Sequence, residues 1–323
     1  MTTPSAIPSR ALSRYAKLVA AATWILLLAG GMVTSTGSGL SVPDWPLSFG
    51  KVMPEMQGGV VYEHGHRMIA SFVGLLIVIL AIAIQRADPR PAVRRLGWIA
   101  VWLVILQGVL GGLTVLLRLP DLVSIAHAGL AELVFVVTVA IAVVTSRGWA
   151  WSCSVDPLVD HRVPALARLS FAVAILVWLQ ILLGAWVRHA GAGLAIPTFP
   201  LAYGQLVPPL ASKPVVIHFA HRVGAVVVGA AVLWLSARAW RGYAEPWLRR
   251  PAALVAGLVL VQIALGGWTV LSFKHPWVAT AHLGTGALLL ATAVVLGLRA
   301  RCRLRSVPLP AGEPIEPRLV GAH

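Results

Sequence analysis

Residues 63–74 read Glu63-His64-Gly65-His66-Arg67-Met68-Ile69-Ala70-Ser71-Phe72-Val73-Gly74, a carboxylate, two imidazoles and a guanidinium at the mouth of a strongly apolar run. A helix that crosses a bilayer seldom carries that much polarity without a functional reason. The pattern returns as His218-Phe219-Ala220-His221-Arg222-Val223-Gly224, with 222 − 67 = 155 residues between the two arginines. Two further histidines, His127 and His282, are 282 − 127 = 155 apart. Four histidines therefore fall into two matched pairs, and the rest of the chain is read around them.

A hydrophobic fraction of 58% with only 11% charged residues lies well outside the soluble range and identifies an integral membrane protein. Eight apolar runs are each near the ~20 residues that a bilayer core requires. They lie at 18–34, 63–85, 97–117, 123–145, 169–187, 215–236, 252–272 and 277–298. The first has no small-residue cleavage site and reads as a retained helix. The expected fold is all-α: eight transmembrane helices as two tandem pseudo-symmetric four-helix bundles. The divisions are an N-tail at 1–17, a first bundle at 18–145, a linker at 146–168, a second bundle at 169–298 and a C-tail at 299–323.

A net charge of +15 raises the question of nucleic acid, and its distribution answers it. Of 26 Lys and Arg, 19 fall in the two tails and in the loops after helices 2, 4 and 6. That is the positive-inside pattern with both termini cytoplasmic, so the charge sets topology and no nucleic-acid partner is expected. Cys153 and Cys302 fall on the cytoplasmic side, where thiols stay reduced, so the sequence implies no disulfide and no thiolate metal site.

The repeat extends to the loops. Gly37-Ser38-Gly39-Leu40, with Pro43, Pro46 and Gly50, is matched by Gly191-Ala192-Gly193-Leu194, with Pro197, Pro200 and Gly204. Trp45 and Phe199 occupy equivalent places, as lids over the bundle ends or as interfacial anchors. Leu110-Gly111-Gly112-Leu113-Thr114-Val115 recurs as Leu265-Gly266-Gly267-Trp268-Thr269-Val270, preceded by Gln107 and Gln262. Close helix packing is the expected use of those glycines, with the glutamines bonding across the interface.

All four histidines fall near the outer starts of their helices. One imidazole on each of two facing helices can supply both axial ligands of a heme iron. Zinc would need three or four converging ligands, and iron–sulfur clusters would need cysteines. Arg67 and Arg222 each follow a ligand histidine and diverge from it by about 100°, so they are candidates for heme propionates or for snorkelling to the interface. Glu63 lies one turn before His66, whereas the matched position, 63 + 155 = 218, holds His218. It is either a helix N-terminal charge or the group that makes the two halves chemically different. His64 lies about 200° from His66 and is excluded as its partner. His161 and His323 fall in polar segments, and His189 and His275 in outer loops. Glu132 is an intramembrane carboxylate, open between interhelical bonding and a proton path.

Through Glu63-His64-Gly65-His66-Arg67, Gly37-Ser38-Gly39-Leu40-Ser41 and the paired Leu-Gly-Gly motif, the chain resembles the heme A synthase (CtaA) family over nearly all of 18–298. The resemblance implies an oxidoreductase that converts the C8 methyl of heme O to the formyl group of heme A, for cytochrome c oxidase biogenesis. It implies a retained heme b on His221 and His282, substrate heme O between His66 and His127, and Glu63 near the reacting methyl. It also implies an inner (plasma) membrane location with the heme sites toward the outer face. Heme O synthase would hand over the substrate, the electron acceptor is unspecified, and a homo-oligomer is left open. One departure is that some bacterial members carry a cysteine pair in the first outer loop, and residues 34–62 here contain none. The rival readings are a di-heme b-type cytochrome linked to quinone and a heme transporter or chaperone.

Overall fold

The computed structural model describes residues 9–160 and 164–306. The C-tail beyond 306, the first eight residues of the N-tail, His161 and His323 lie outside the described residues. Eight long helices carry the architecture: α1 Arg10–Ser35, α2 Gly59–Ala87, α3 Pro91–Leu116, α4 Asp121–Val144, α6 Leu166–His189, α7 Lys213–Gly242, α8 Pro246–Leu271 and α9 Pro276–Arg303. All eight are long and apolar enough to cross a membrane. A short helix, α5 (Arg147–Ser154), and two three-residue strands, β1 (Leu158–Asp160) and β2 (Leu304–Ser306), complete the described secondary structure apart from one 3-10 turn.

All eight helices begin before their apolar segments do. Ser9 accepts a hydrogen bond from the Leu12 N–H at 3.1 Å, so α1 begins before the apolar run does. Proline at the first or second position opens α3, α7, α8 and α9, where a missing N–H carries no penalty.

α1 packs on α2 and α4, and α3 on α2 and α4, closing one ring of four; α6, α7, α8 and α9 close another in the same order. The seam between them is made by α1 against α9, α4 against α6 and α4 against α9. One contact occurs twice there. The Trp24 indole N–H donates to the Gly284 carbonyl at 3.0 Å, and that of Trp178 donates to Gly129 at 3.0 Å. Leu28 and Leu182 occupy the space that a side chain at Gly284 or Gly129 would need. Small residues of this kind let helices approach closely where no hydrophobic force drives association.

The two large apolar cores, one around Val19, Ile77, Ile84 and Ile141 and one around Leu166, Leu235, Leu248 and Leu296, fill the ends of the rings remote from the histidines. At that end β1 pairs with β2 in parallel, and Asp160 accepts from the Leu166 N–H at 3.0 Å to cap α6. The same arrangement corrects the expectation of free thiols. α5 lies against α9, which brings Cys153 and Cys302 to a Cα–Cα distance of 5.3 Å, and the two are joined as a disulfide. Their separation of 149 residues hid that neighbourhood from a linear reading.

Candidate functional site

Each of the four paired histidines lies in a notch made by a glycine of the neighbouring helix. A Cβ added at Gly30 in α1 would sit 3.0 Å from His66 Cε1, and one at Gly111 in α3 would sit 3.1 Å from His127 Cε1. In the second ring, Gly184 in α6 stands 3.0 Å from His221 Cε1 and Gly266 in α8 stands 3.1 Å from His282 Cε1 by the same measure. A ring pressed against bare backbone has few rotamers open to it, so the glycines fix where each imidazole points. Within each ring the two imidazoles are near enough to interact electrostatically, His66 with His127 and His282 with His221. Among the described residues no cluster of three or more His, Cys, Asp or Glu side chains converges as a metal ion would require. The histidines meet in twos.

The pairs differ in what holds their rings. His282 Nδ1 lies 3.1 Å from the Gln262 carbonyl, which can only accept. A neutral His282 bonded to it therefore carries its proton on Nδ1 and keeps a bare lone pair on Nε2, the tautomer that binds a metal. His221 Nδ1 is 2.9 Å from the Gln180 side-chain amide, which also reaches the His221 carbonyl at 2.7 Å. In the first ring, the Nδ1 atoms of His66 and His127 are buried with no protein partner. Gln107 instead approaches His127 from Nε2, at 3.3 Å, and its carbonyl at 3.0 Å. The residue matched to Gln180 is Leu26 (180 − 154), which offers no hydrogen bond. The amide as placed donates to Nδ1, and it serves a ligating His221 once it turns its oxygen to an Nδ1 proton; outer-shell partners of that kind are worth roughly 10–100-fold in affinity. Gln180→Leu is therefore expected to weaken heme retention by the second ring over that range, read as heme per protein after purification; unchanged retention would show that the amide does not orient the ring.

Glu63 is buried, with both oxygens engaged. Oε1 pairs with Arg67 at 2.7 Å and Oε2 accepts the Val42 N–H at 2.8 Å. Arg67 also donates to the carbonyls of Asp44 (2.7 Å), Leu47 (3.0 Å) and Val42 (3.1 Å). His64 Nδ1 meets the Ser48 hydroxyl at 2.8 Å. Together these side chains hold the first outer loop onto the head of α2. The second loop is held likewise: His218 Nδ1 lies 3.3 Å from the Ile196 N–H, and Arg222 donates to His218 Nε2 (3.3 Å) and to the carbonyls of Ile196 (2.8 Å) and Thr198 (2.7 Å). Both arginines, candidates for propionates or for snorkelling to the interface, thus spend donors on loop carbonyls. Arg222 keeps one buried Nη1 without a partner.

The loops fold back over the ring ends. A Cβ at Gly112 would lie 2.6 Å from the Trp45 ring, and one at Gly267 would lie 2.6 Å from the Phe199 ring. The Gly-Gly pairs therefore seat rings, a histidine on the first glycine and a loop aromatic on the second, where helix–helix packing was expected. Phe49 with Gly50 and Tyr203 with Gly204 take positive φ at the turns that return each loop, a conformation glycine adopts freely. In the first turn the Asp44 carboxylate accepts the N–H groups of Phe49 (2.7 Å) and Gly50 (2.8 Å). Those backbone donors, Gly50 first, hold its pKa below the usual carboxylate value. The contribution is present above the ordinary carboxylate pKa and is lost as pH falls through the lowered one. Gly112→Ala and Gly267→Ala force their aromatic rings away. Each is expected to lose roughly 1–3 kcal/mol by overpacking, measured by thermal unfolding of the purified protein. Unchanged unfolding would mean that the loop does not rest on the helix.

The protein-family model described as COX15-CtaA, cytochrome oxidase assembly protein, matches residues 55–294. A heme A synthase of Symbiobacterium thermophilum is 34% identical over 268 residues, covering 81% of this chain and 87% of its own length. A heme A synthase of Shouchella clausii is 31% identical over 281 residues, covering 85% and 90%. One from Geobacillus kaustophilus is 27% identical and spans 94% of this chain and 96% of itself. The chain belongs to the COX15-CtaA family.

Membership of the COX15-CtaA family accounts for the eight apolar helices and directs attention to the histidines. The sequence reading missed Gly30, Gly184 and Gln180. The signal was present, because Trp24 and Gly30 in α1 recur as Trp178 and Gly184 in α6 at an offset of 154. Glu132 is buried in α4, its Oε2 has no partner, and it makes no ion pair among the described residues.

Proposed function

We infer that this chain is a multi-pass membrane oxidoreductase that converts heme O to heme A in the assembly of cytochrome oxidase. The observation that carries the reading is one histidine pair per ring of four helices, with a carboxylate beside only one of the pairs. We propose that the two rings are tandem pseudo-symmetric bundles with distinct duties: α1–α4 for the substrate, α6–α9 for a retained heme b.

The residues fit a heme in the second bundle. Two imidazoles converge, each in a glycine notch, and the hydrogen bond to the Gln262 carbonyl leaves His282 Nε2 free to ligate. His221 and His282 would be the axial ligands, and the spare Nη1 of Arg222 a propionate contact. When bound, that heme supplies one-electron transfer, which no side chain provides.

In the first bundle His66 and His127 would bracket heme O. Their Nδ1 atoms lack outer-shell partners, which suits a ligand that must leave after reaction. With water as the oxygen source, converting a methyl to a formyl group would release four protons and four electrons, the electrons going to an external acceptor that this chain does not itself supply. Glu63, one turn from His66, would accept a proton or orient that water. Doing so requires it to exchange a contact with Arg67 or Val42. Arg67 would hold it in place, and the loop carrying Val42 and Trp45 would exclude bulk water.

Following the positive-inside pattern, we place both termini in the cytoplasm and the histidines toward the outer face of the plasma membrane. Heme O synthase is the natural source of so apolar a substrate. Expression in a host that makes heme O, followed by extraction of membrane pigments, tests the activity. Heme A should appear only with this chain present, and a host that accumulates heme O unchanged would refute the assignment.

A further inference from the structure

Arg188 is a half-buried cation that the foregoing leaves without a task. It stands in the last turn of α6, and its side chain makes no hydrogen bond or ion pair among the described residues. Four residues before it is Gly184, the notch for His221. A spacing of four residues puts Arg188 about 40° from Gly184 around the helix and about 6 Å further along it. It therefore overlooks the space that the His221 ring enters. The charge of Arg188 also acts on His282, the other imidazole of the second bundle. Asp121, at the start of α4, acts on the neighbouring His189 and does not pair with Arg188.

A half-buried guanidinium with no protein carboxylate beside it has its donors free for an anion, and a planar carboxylate matches its fork. We propose that Arg188 binds a carboxylate of the porphyrin held between His221 and His282. The proposal rests on the reading that this pair holds a heme. It adds an anchor that the first bundle does not have. The matched position there, 188 − 154 = 34, is Thr34, whose hydroxyl is turned to the Gly30 carbonyl of its own helix at 3.3 Å. A charge-assisted anchor in one bundle and a neutral hydroxyl in the other would make one porphyrin resident and let the other exchange.

The test titrates heme-depleted full-length protein in detergent with heme b and with heme b dimethyl ester, whose carboxylates are blocked. The parental protein should bind heme b roughly 10- to 100-fold more tightly than the ester, the range expected for a hydrogen-bonded charge. Arg188→Gln should reduce that preference by weakening heme b binding while leaving ester binding unchanged, the remainder being what Arg222 supplies. Arg188→Lys, which keeps the charge but not the fork, should retain part of it. Equal weakening toward both porphyrins, or a preference undiminished in Arg188→Gln, would overturn the proposal. If Arg188→Gln fails to fold, a preference undiminished in Arg188→Lys overturns it as well. His282→Ala serves as the separate control. Loss of low-spin heme in that variant upholds the underlying site, and its persistence would overturn the site and the anchor together.

Discussion

Replacing Glu63 with Gln is expected to lower heme A formation by at least about 100-fold, the lower end of what a general base contributes, while heme b stays bound. Gln keeps an oxygen to accept the Val42 N–H and loses the charge that faces Arg67. Because Glu63 also pins the outer loop, a loss of activity in that variant alone would not separate chemistry from closure. Glu63→His separates them, since it copies His218, which holds the equivalent loop through Ile196 and Arg222. A catalytic carboxylate predicts failure of both variants, with heme O or a partly oxidised hydroxymethyl product accumulating in extracted pigments. Heme A at the parental rate from either variant would reduce Glu63 to a loop clamp.

His282→Ala should remove the low-spin heme b spectrum altogether. The change deletes an axial ligand, which exceeds the roughly 10–100-fold effect of deleting an outer-shell partner. His221→Ala should behave alike, although its ring is held by the Gln180 amide and not by a carbonyl. Heme A formation should fall with the spectrum, because the first bundle would lose its route for electrons. Thermal unfolding of the apoprotein separates this result from loss of the fold. The apolar cores around Leu235 and Leu296 lie at the other end of the bundle and do not include either histidine. A full low-spin spectrum in both single variants would place the resident heme elsewhere.

The sequence by itself determined the membrane class, the eight helices, the motifs that recur at offsets of 154 and 155 residues, and the four histidines. Those properties are local or periodic. Twenty consecutive apolar residues are legible as a span because the bilayer demands them. A repeated motif is legible because both copies are in the chain.

Tertiary structure decided which face of each helix meets which neighbour. In a bilayer both the lipid and the protein core are apolar, so a spanning helix carries little of the amphipathic stripe that reveals the inward face of a soluble one. The notches at Gly30 and Gly184, the hold of Gln180 on His221, and the place of Arg188 over the second histidine pair all depend on that rotation. The sequence left Glu63 open between a helix N-terminal charge and a chemical group, and only the folded loop showed both its oxygens taken by Arg67 and Val42. Cys153 and Cys302 became partners because α5 packs on α9, a contact between segments 149 residues apart that no local pattern encodes.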